Sequence, residues 1–126
     1  MAFNMDCFEV ASKRVDKFKL VIQRGEHRGV EFPLSTGTLV LGRWDPESGS
    51  FPDINLDNID EEARVSRRHA QILVQSGRVV LEDLNSLNGT FVNRGDRLAP
   101  GVRCSLQLND EIILGKVVFR LVADED

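Results

Sequence analysis

Punctuation constrains this chain more than any other feature. Apolar and β-branched residues come in short runs, and most runs are closed by glycine, proline or an Asn-Asp pair. The runs fall at residues 18–22, 30–32, 38–41, 69–75, 79–81, 90–92, 102–108, 111–114 and 116–121. Arg24-Gly25, Pro33, Gly42, Asn88-Gly89, Gly95-Asp96, Asn109-Asp110 and Gly115 mark the stops. Ser76-Gly77 lies between two β-like runs and predicts a two-residue hairpin turn. About ten short strands with such close turn signals, and no sustained helical period, predict an all-β sandwich or barrel.

Residues 1–16 stand apart. Phe3, Cys7, Phe8, Ala11 and Val15 give a weak amphipathic turn or two without a cap. The expected organisation is an arm or linker over 1–16, a β domain over 17–122, and an acidic tail over 123–126. A length of 126 residues suits one domain. With 41% hydrophobic and 29% charged residues, the chain is globular rather than disordered.

Composition removes several function classes. No stretch approaches the ~18 apolar residues of a membrane helix, so no membrane partner is expected. The first residues lack the basic start and apolar core of a signal peptide, which predicts a cytoplasmic protein. Cys7 and Cys104 are the only cysteines; they exclude a disulfide scaffold and a cysteine-only zinc site. Reduced thiols are the expectation, with a single bridge between them as the alternative. A net charge of −4 argues against nucleic acid, whose binders neutralise many phosphates. The histidines are His27 and His69, there is no tyrosine, and no G-x-S-x-G, P-loop, H-E-x-x-H or C-x-x-C occurs. No catalytic residue, metal or cofactor is therefore expected.

Three polar motifs fall in connections between the runs, where binding residues concentrate. They are Gly42-Arg43, then Ser66-Arg67-Arg68-His69, then Asn85-Ser86-Leu87-Asn88-Gly89-Thr90. An arginine fork matches phosphate oxygens with two parallel charge-assisted hydrogen bonds. A serine hydroxyl adds a donor, and an asparagine amide can grip a peptide main chain from both sides. Arg43, Ser66, Arg67, Arg68 and Asn88 together suit a phosphorylated peptide.

This ordered set of G-R, S-x-x-H and N-G-T, with S-x-N-G-T-x-V-N from Ser86 to Asn93, resembles the forkhead-associated (FHA) domain. The likeness spans about residues 17–122. It implies a sandwich of two twisted, largely antiparallel sheets with a binding site made of loops. It also implies phosphothreonine-dependent protein–protein interaction in signalling. By the resemblance, Arg43 contacts the phosphate and Ser66 donates its hydroxyl to it. Arg67 adds a phosphate or main-chain contact, and Asn88 holds the peptide backbone. Gly42, His69 and Gly89 support the site, with His69 bracing the loop that presents Ser66. Many members carry threonine where this chain has Leu87, which removes one polar contact. Preference for phosphothreonine over phosphoserine is also implied by the family, where the methyl packs in a small pocket. The threonines of this chain, Thr36, Thr38 and Thr90, lie near strands, so the partner is expected in trans and the domain monomeric.

Other readings compete locally. Arg64, Arg67 and Arg68 form a basic knot that balances the acids before it; alternatively, Arg64 or Arg68 reads an acidic residue downstream of the phosphothreonine. Asp53-Ile54-Asn55-Leu56-Asp57 opens like a calcium loop, but Asn58 replaces the required glycine and Arg64 the closing glutamate. A short strand with Ile54 and Leu56 facing inward is the better reading. The stretch from Trp44 to Ala63 holds seven acids and no base, longer than a tight turn needs. By charge alone, Asp57, Asp60, Glu61 and Glu62 are candidates to fold over Arg43 and compete with ligand. A phosphate-independent interaction or scaffold domain on the same fold is the alternative function.

Overall fold

A computed structural model describes residues 17–124. Residues 1–16, and with them Cys7, lie outside the described part. The described residues form ten strands: β1 (Phe18–Ile22), β2 (Glu31–Leu34), β3 (Gly37–Gly42), β4 (Ile54–Asn55), β5 (Arg68–Gln75), β6 (Arg78–Asp83), β7 (Thr90–Val92), β8 (Arg103–Leu106), β9 (Glu111–Leu114) and β10 (Val117–Ala123). They make two five-stranded sheets, in the orders β2-β1-β10-β9-β7 and β4-β3-β5-β6-β8. Pairing is antiparallel apart from the short parallel contact of β3 with β4, where Leu41 faces Ile54.

Alternation is plainest in β1. Phe18, Leu20 and Ile22 are buried while Lys19 and Val21 turn outward. Leu39, Leu41, Ile72, Val74, Val79 and Leu81 of one sheet meet Leu20, Ile112, Leu114, Phe119 and Leu121 of the other in a single core. Burying each such side chain contributes about 1.5–3 kcal/mol. Ser76 and Gly77 have φ of 51° and 75°, the left-handed pair that a two-residue hairpin turn requires. Ile54 and Leu56 are buried, as the short-strand reading of that segment expects.

Several boundaries differ from the sequence reading, and two of them bear on the sheets. Pro33 does not stop its strand but sits inside β2. That strand is at a sheet edge, where a missing N–H costs nothing. The last strand runs through Ala123, and the Asp124 N–H bonds the Lys17 carbonyl at 2.9 Å, so the sheet extends past 122. In the stop marked by Asn88-Gly89, Gly89 at φ 93° and Asn85 at φ 65° take the left-handed region, and Asn88 does not.

The topology gathers the motifs at one end. Gly42 pairs with Arg68, and Ala70 with Asp83, so the end of β3, the start of β5 and the end of β6 lie side by side. Thr90 pairs with Leu114, bringing the turn after β9 to the same end from the other sheet.

Candidate functional site

Gly42 closes β3 at a register shift against β5. A Cβ there would collide with the Arg67 carbonyl, coming within 2.7 Å of its carbon. Only glycine lets the chain pass that close, and the Arg43 N–H then bonds the Arg67 carbonyl at 3.1 Å. The Arg43 side chain is held from behind. Its Nε donates to the Val65 carbonyl at 2.7 Å and lies 3.9 Å from Asp60 Oδ2. Among the described residues nothing accepts a hydrogen bond from its two terminal nitrogens.

Asp60 shapes the turn that supplies that carbonyl. It is buried, and its carboxylate accepts the Arg64 N–H at 2.9 Å and the Val65 N–H at 2.8 Å. The sequence reading counted it only among the loop acids.

His69 is fully buried and fixes the next stretch. Its Nδ1 accepts the Ser66 N–H at 3.0 Å, so the ring proton sits on Nε2 and is donated to the Gly89 carbonyl at 2.8 Å. Burial holds the imidazole below its usual pKa of 6.5, against the opposing pull of the Gly89 carbonyl, Asp83 and Asp60. The neutral ring thus links the Ser66 loop to the Asn88 loop. The Ser66 hydroxyl accepts the Leu87 N–H at 3.1 Å, which leaves its own proton to donate.

The loop 84–89 hangs from Asp83, which is fully buried. That carboxylate accepts the Ser86 hydroxyl and the Thr90 hydroxyl, both at 2.6 Å, and the Ser86 N–H at 3.0 Å. Burial alone would raise its pKa, but the Ser86 and Thr90 hydrogen bonds outweigh it and hold the carboxyl below 3.8. Arg97 clamps the loop from outside, donating to the Ser86 carbonyl at 2.6 Å and flanking Gly89, where a Cβ would meet its side chain at 3.0 Å. Asn88 Nδ2 donates to the Arg64 carbonyl at 2.8 Å, leaving Oδ1 as an acceptor. Gly115, at φ 62°, donates to the Gly89 carbonyl at 3.1 Å and passes so close to Arg64 that a Cβ would lie 2.7 Å from its oxygen. Asp83, Arg97 and Gly115 escaped the sequence reading as site residues.

Arg43, Ser66, Arg67, Asn88 and Leu87 thus share one end of the sandwich, with Arg64 exposed beside them. Leu87 is 82% exposed, an apolar side chain standing out of a polar site. Arg67 is engaged: its Nη1 lies 3.1 Å from Asp45 Oδ1. Of the acids expected to cover Arg43, Asp60 lies against its Nε from beneath, and the other three are engaged elsewhere. Asp57 accepts the Trp44 N–H, Asp60 is the internal brace, and Glu62 pairs with Lys116 at 3.1 Å. Glu61 reaches His27 at 3.7 Å and joins it and Glu26 in a partly exposed trio, its ligand atoms within 4.8 Å of one another. Two carboxylates therefore meet site arginines: Asp60 from beneath Arg43 and Asp45 at Arg67.

A two-sheet sandwich with cationic and hydrogen-bonding groups fixed in the loops of one end defines a binding module. Its loops are braced from beneath so that donors face out. Residues 39–115 match the FHA domain family, and the chain belongs to it. The oxoglutarate dehydrogenase inhibitor of Corynebacterium glutamicum is 44% identical over 103 residues, covering 82% of this chain and 62% of that protein. The glycogen accumulation regulator GarA of Mycolicibacterium smegmatis is 41% identical, covering 82% and 56%. The chain thus spans less than two-thirds of either relative. An FHA domain solved in a structural and functional analysis of phosphothreonine-dependent FHA domain interactions superposes with a TM-score of 0.66 at 28% identity, covering 87% of this chain and 99% of that one. Among the described residues no helix is long and apolar enough to cross a membrane.

Proposed function

We propose that this domain binds a phosphothreonine-bearing segment of a partner protein in trans and regulates that partner by occupancy, not by catalysis. One observation carries the reading. Arg43 is anchored through Nε to the Val65 carbonyl, while both terminal nitrogens are left to a ligand. A phosphothreonine brings about −1.5 to −2 charge and three strong acceptors, which the outer fork of an arginine matches. The Ser66 proton supplies a further bond to the phosphate. Asn88 Oδ1 takes an N–H of the peptide backbone, and Arg67 and Arg64 face the flanking residues. Leu87 offers an apolar contact where a hydroxyl is more usual in the family.

The relatives support a regulatory role, since one is named for inhibiting oxoglutarate dehydrogenase and another for regulating glycogen accumulation. The domain acts as a cytoplasmic monomer and uses neither cofactor nor nucleic acid.

Fluorescence anisotropy with a degenerate phosphothreonine library tests the reading, with phosphoserine and unphosphorylated libraries as controls. Saturable binding is expected with phosphothreonine alone. Arg43→Ala should weaken it by about 2–5 kcal/mol, the range for removing one partner of a hydrogen-bonded charge pair. Equal binding of the unphosphorylated library would sink it. The exposed Leu87 favours a second reading, recognition of an unphosphorylated partner through the same loops. Partner binding insensitive to Arg43→Ala but lost in Leu87→Asp is its signature.

A further inference from the structure

We propose that the cleft beside the 44–53 loop is a second anion-reading subsite, in which Arg68 and Arg67 receive an acidic side chain flanking the phosphothreonine. It rests on the phosphothreonine reading above and specifies the partner's chemistry.

The cleft has a volume of about 300 Å³ and is contiguous with the proposed phosphate site, because Arg43 lines both. Strand register sets its charge. Gly42 lies opposite Arg68, and the Arg43 N–H bonds the Arg67 carbonyl at 3.1 Å, so three arginines converge on one cavity. Two carboxylates also line it, Asp45 and Asp53. Both have other work. Asp53 accepts the Val40 N–H at 2.8 Å, and Asp45 accepts the Glu47 N–H and the Ser48 hydroxyl in addition to Arg67. Arg68 is exposed and, among the described residues, its side chain has neither a hydrogen bond nor an ion pair. Asp60 meets Arg43 and Asp45 meets Arg67, so among the described residues Arg68 is the cation of this cavity that no carboxylate meets.

The far wall is preformed. The Asp45 N–H bonds the Ser50 carbonyl at 2.9 Å and closes the loop on itself. Trp44 and Phe51 stack across its base, with centroids 5.5 Å apart and planes 15° apart. Phe51 and Pro52 line the cavity and offer an apolar surface to the methylene stem of an incoming side chain. Asp45 holds Arg67 in the free domain, and the ligand's own anion replaces it there. A carboxylate and a phosphate monoester share this chemistry.

The test uses one phosphothreonine peptide with alanine at every flanking position. Variants carry a single glutamate or a single phosphoserine, scanned over the three positions on either side. All are measured by anisotropy at low salt against the unaltered chain, Arg68→Gln and Arg68→Lys. At one position the acidic peptides should bind about fivefold tighter than the alanine peptide, the upper range for an exposed ion pair. Arg68→Gln should abolish that gain, so that it binds the acidic and alanine peptides equally, and Arg68→Lys should retain part of it. A gain from phosphoserine but not glutamate identifies a second phosphate as the natural ligand; equal gains identify any acid. Phosphate-dependent binding without an acidic preference, or a preference that survives Arg68→Gln, overturns this proposal alone. Absence of phosphate-dependent binding by every peptide overturns both readings.

Discussion

At the scale of single residues, the site depends on atoms that no ligand touches. Gly42 is one: its missing Cβ lets the Arg67 carbonyl meet the Arg43 N–H. Gly42→Ala should destabilise the domain by about 3 kcal/mol, since backbone rather than a pliable side chain blocks the methyl. Urea denaturation measures this, and a loss under 1 kcal/mol would mean that the strand register yields easily. His69 makes a pH-dependent claim. Its neutral ring accepts the Ser66 N–H, which an imidazolium cannot do. Burial lowers its pKa in the folded state, so the unfolded chain binds the extra proton first. The His69 contribution is complete above pH 6.5 and declines as pH falls below it. Urea midpoints taken from pH 8 to pH 5 should drop over that interval, and His69→Gln should flatten this part of the profile while lowering stability throughout.

At the scale of elements, the contacts that join one loop to another are distant in sequence, and this explains much of what the sequence disclosed. Short runs bounded by turn residues announced β1, β7 and β9 with their limits, and in β1 and β9 burial alternates along the strand, which is a local pattern. The hairpin at Ser76-Gly77 was equally local. Pro33 misled because its effect depends on whether a strand lies at an edge, which is a property of the assembled sheet. The same division runs through the site. Arg43, Ser66 and Asn88 were legible as motif residues, and the geometry gathers them at one end. Asp60, Asp83, Arg97 and Gly115 were not legible, because each is an ordinary residue until a loop folds against it. Asn88 illustrates the point, since its amide bonds the carbonyl of Arg64, 24 residues earlier. Asp83 is the element-scale test. Asp83→Asn places an amide where hydroxyls and an N–H donate, leaving at least one buried donor unmatched at about 1–3 kcal/mol. Because hydrogen bonds hold its folded pKa below 3.8, the native carboxylate stabilises above that pH and loses the contribution as pH falls through its folded value. An acid-unfolding curve should therefore shift upward in pH and lose steepness in Asp83→Asn. Hydrogen exchange at Ser86, Gly89 and Thr90 should quicken before that of the β5–β6 ladder. Unchanged exchange there would show that the contacts of Arg97, His69 and Gly115 hold the loop without Asp83.

At the scale of the whole molecule, the site is a joint product of two sheets. Arg43 and Ser66 flank strands of one sheet, the Asn88 loop crosses from β6 to β7, and the Gly115 turn arrives from the other sheet. The Asn88–Arg64 and Gly115–Gly89 hydrogen bonds tie the loops to each other, so the site should not melt apart from the core. Phe119 is the natural place to perturb that core. It is fully buried on β10 and meets Phe32 edge-on, with ring centroids 6.2 Å apart. Phe119→Ala should cost about 3–5 kcal/mol, a large part of the 5–15 kcal/mol typical of a domain. The chain's single tryptophan, Trp44, stands in the loop beside Arg43 and reports on the site, whereas far-UV circular dichroism reports on both sheets. Urea transitions followed by the two probes should coincide in the native chain and move together in Phe119→Ala. Phosphothreonine peptide at about 100 times its dissociation constant should then restore about 2.7 kcal/mol to both, because ligand binds only the folded state. A tryptophan transition that precedes the dichroism transition would show instead that the recognition loops open as an independent unit, and the peptide would then protect the loops without raising the stability of the sheets.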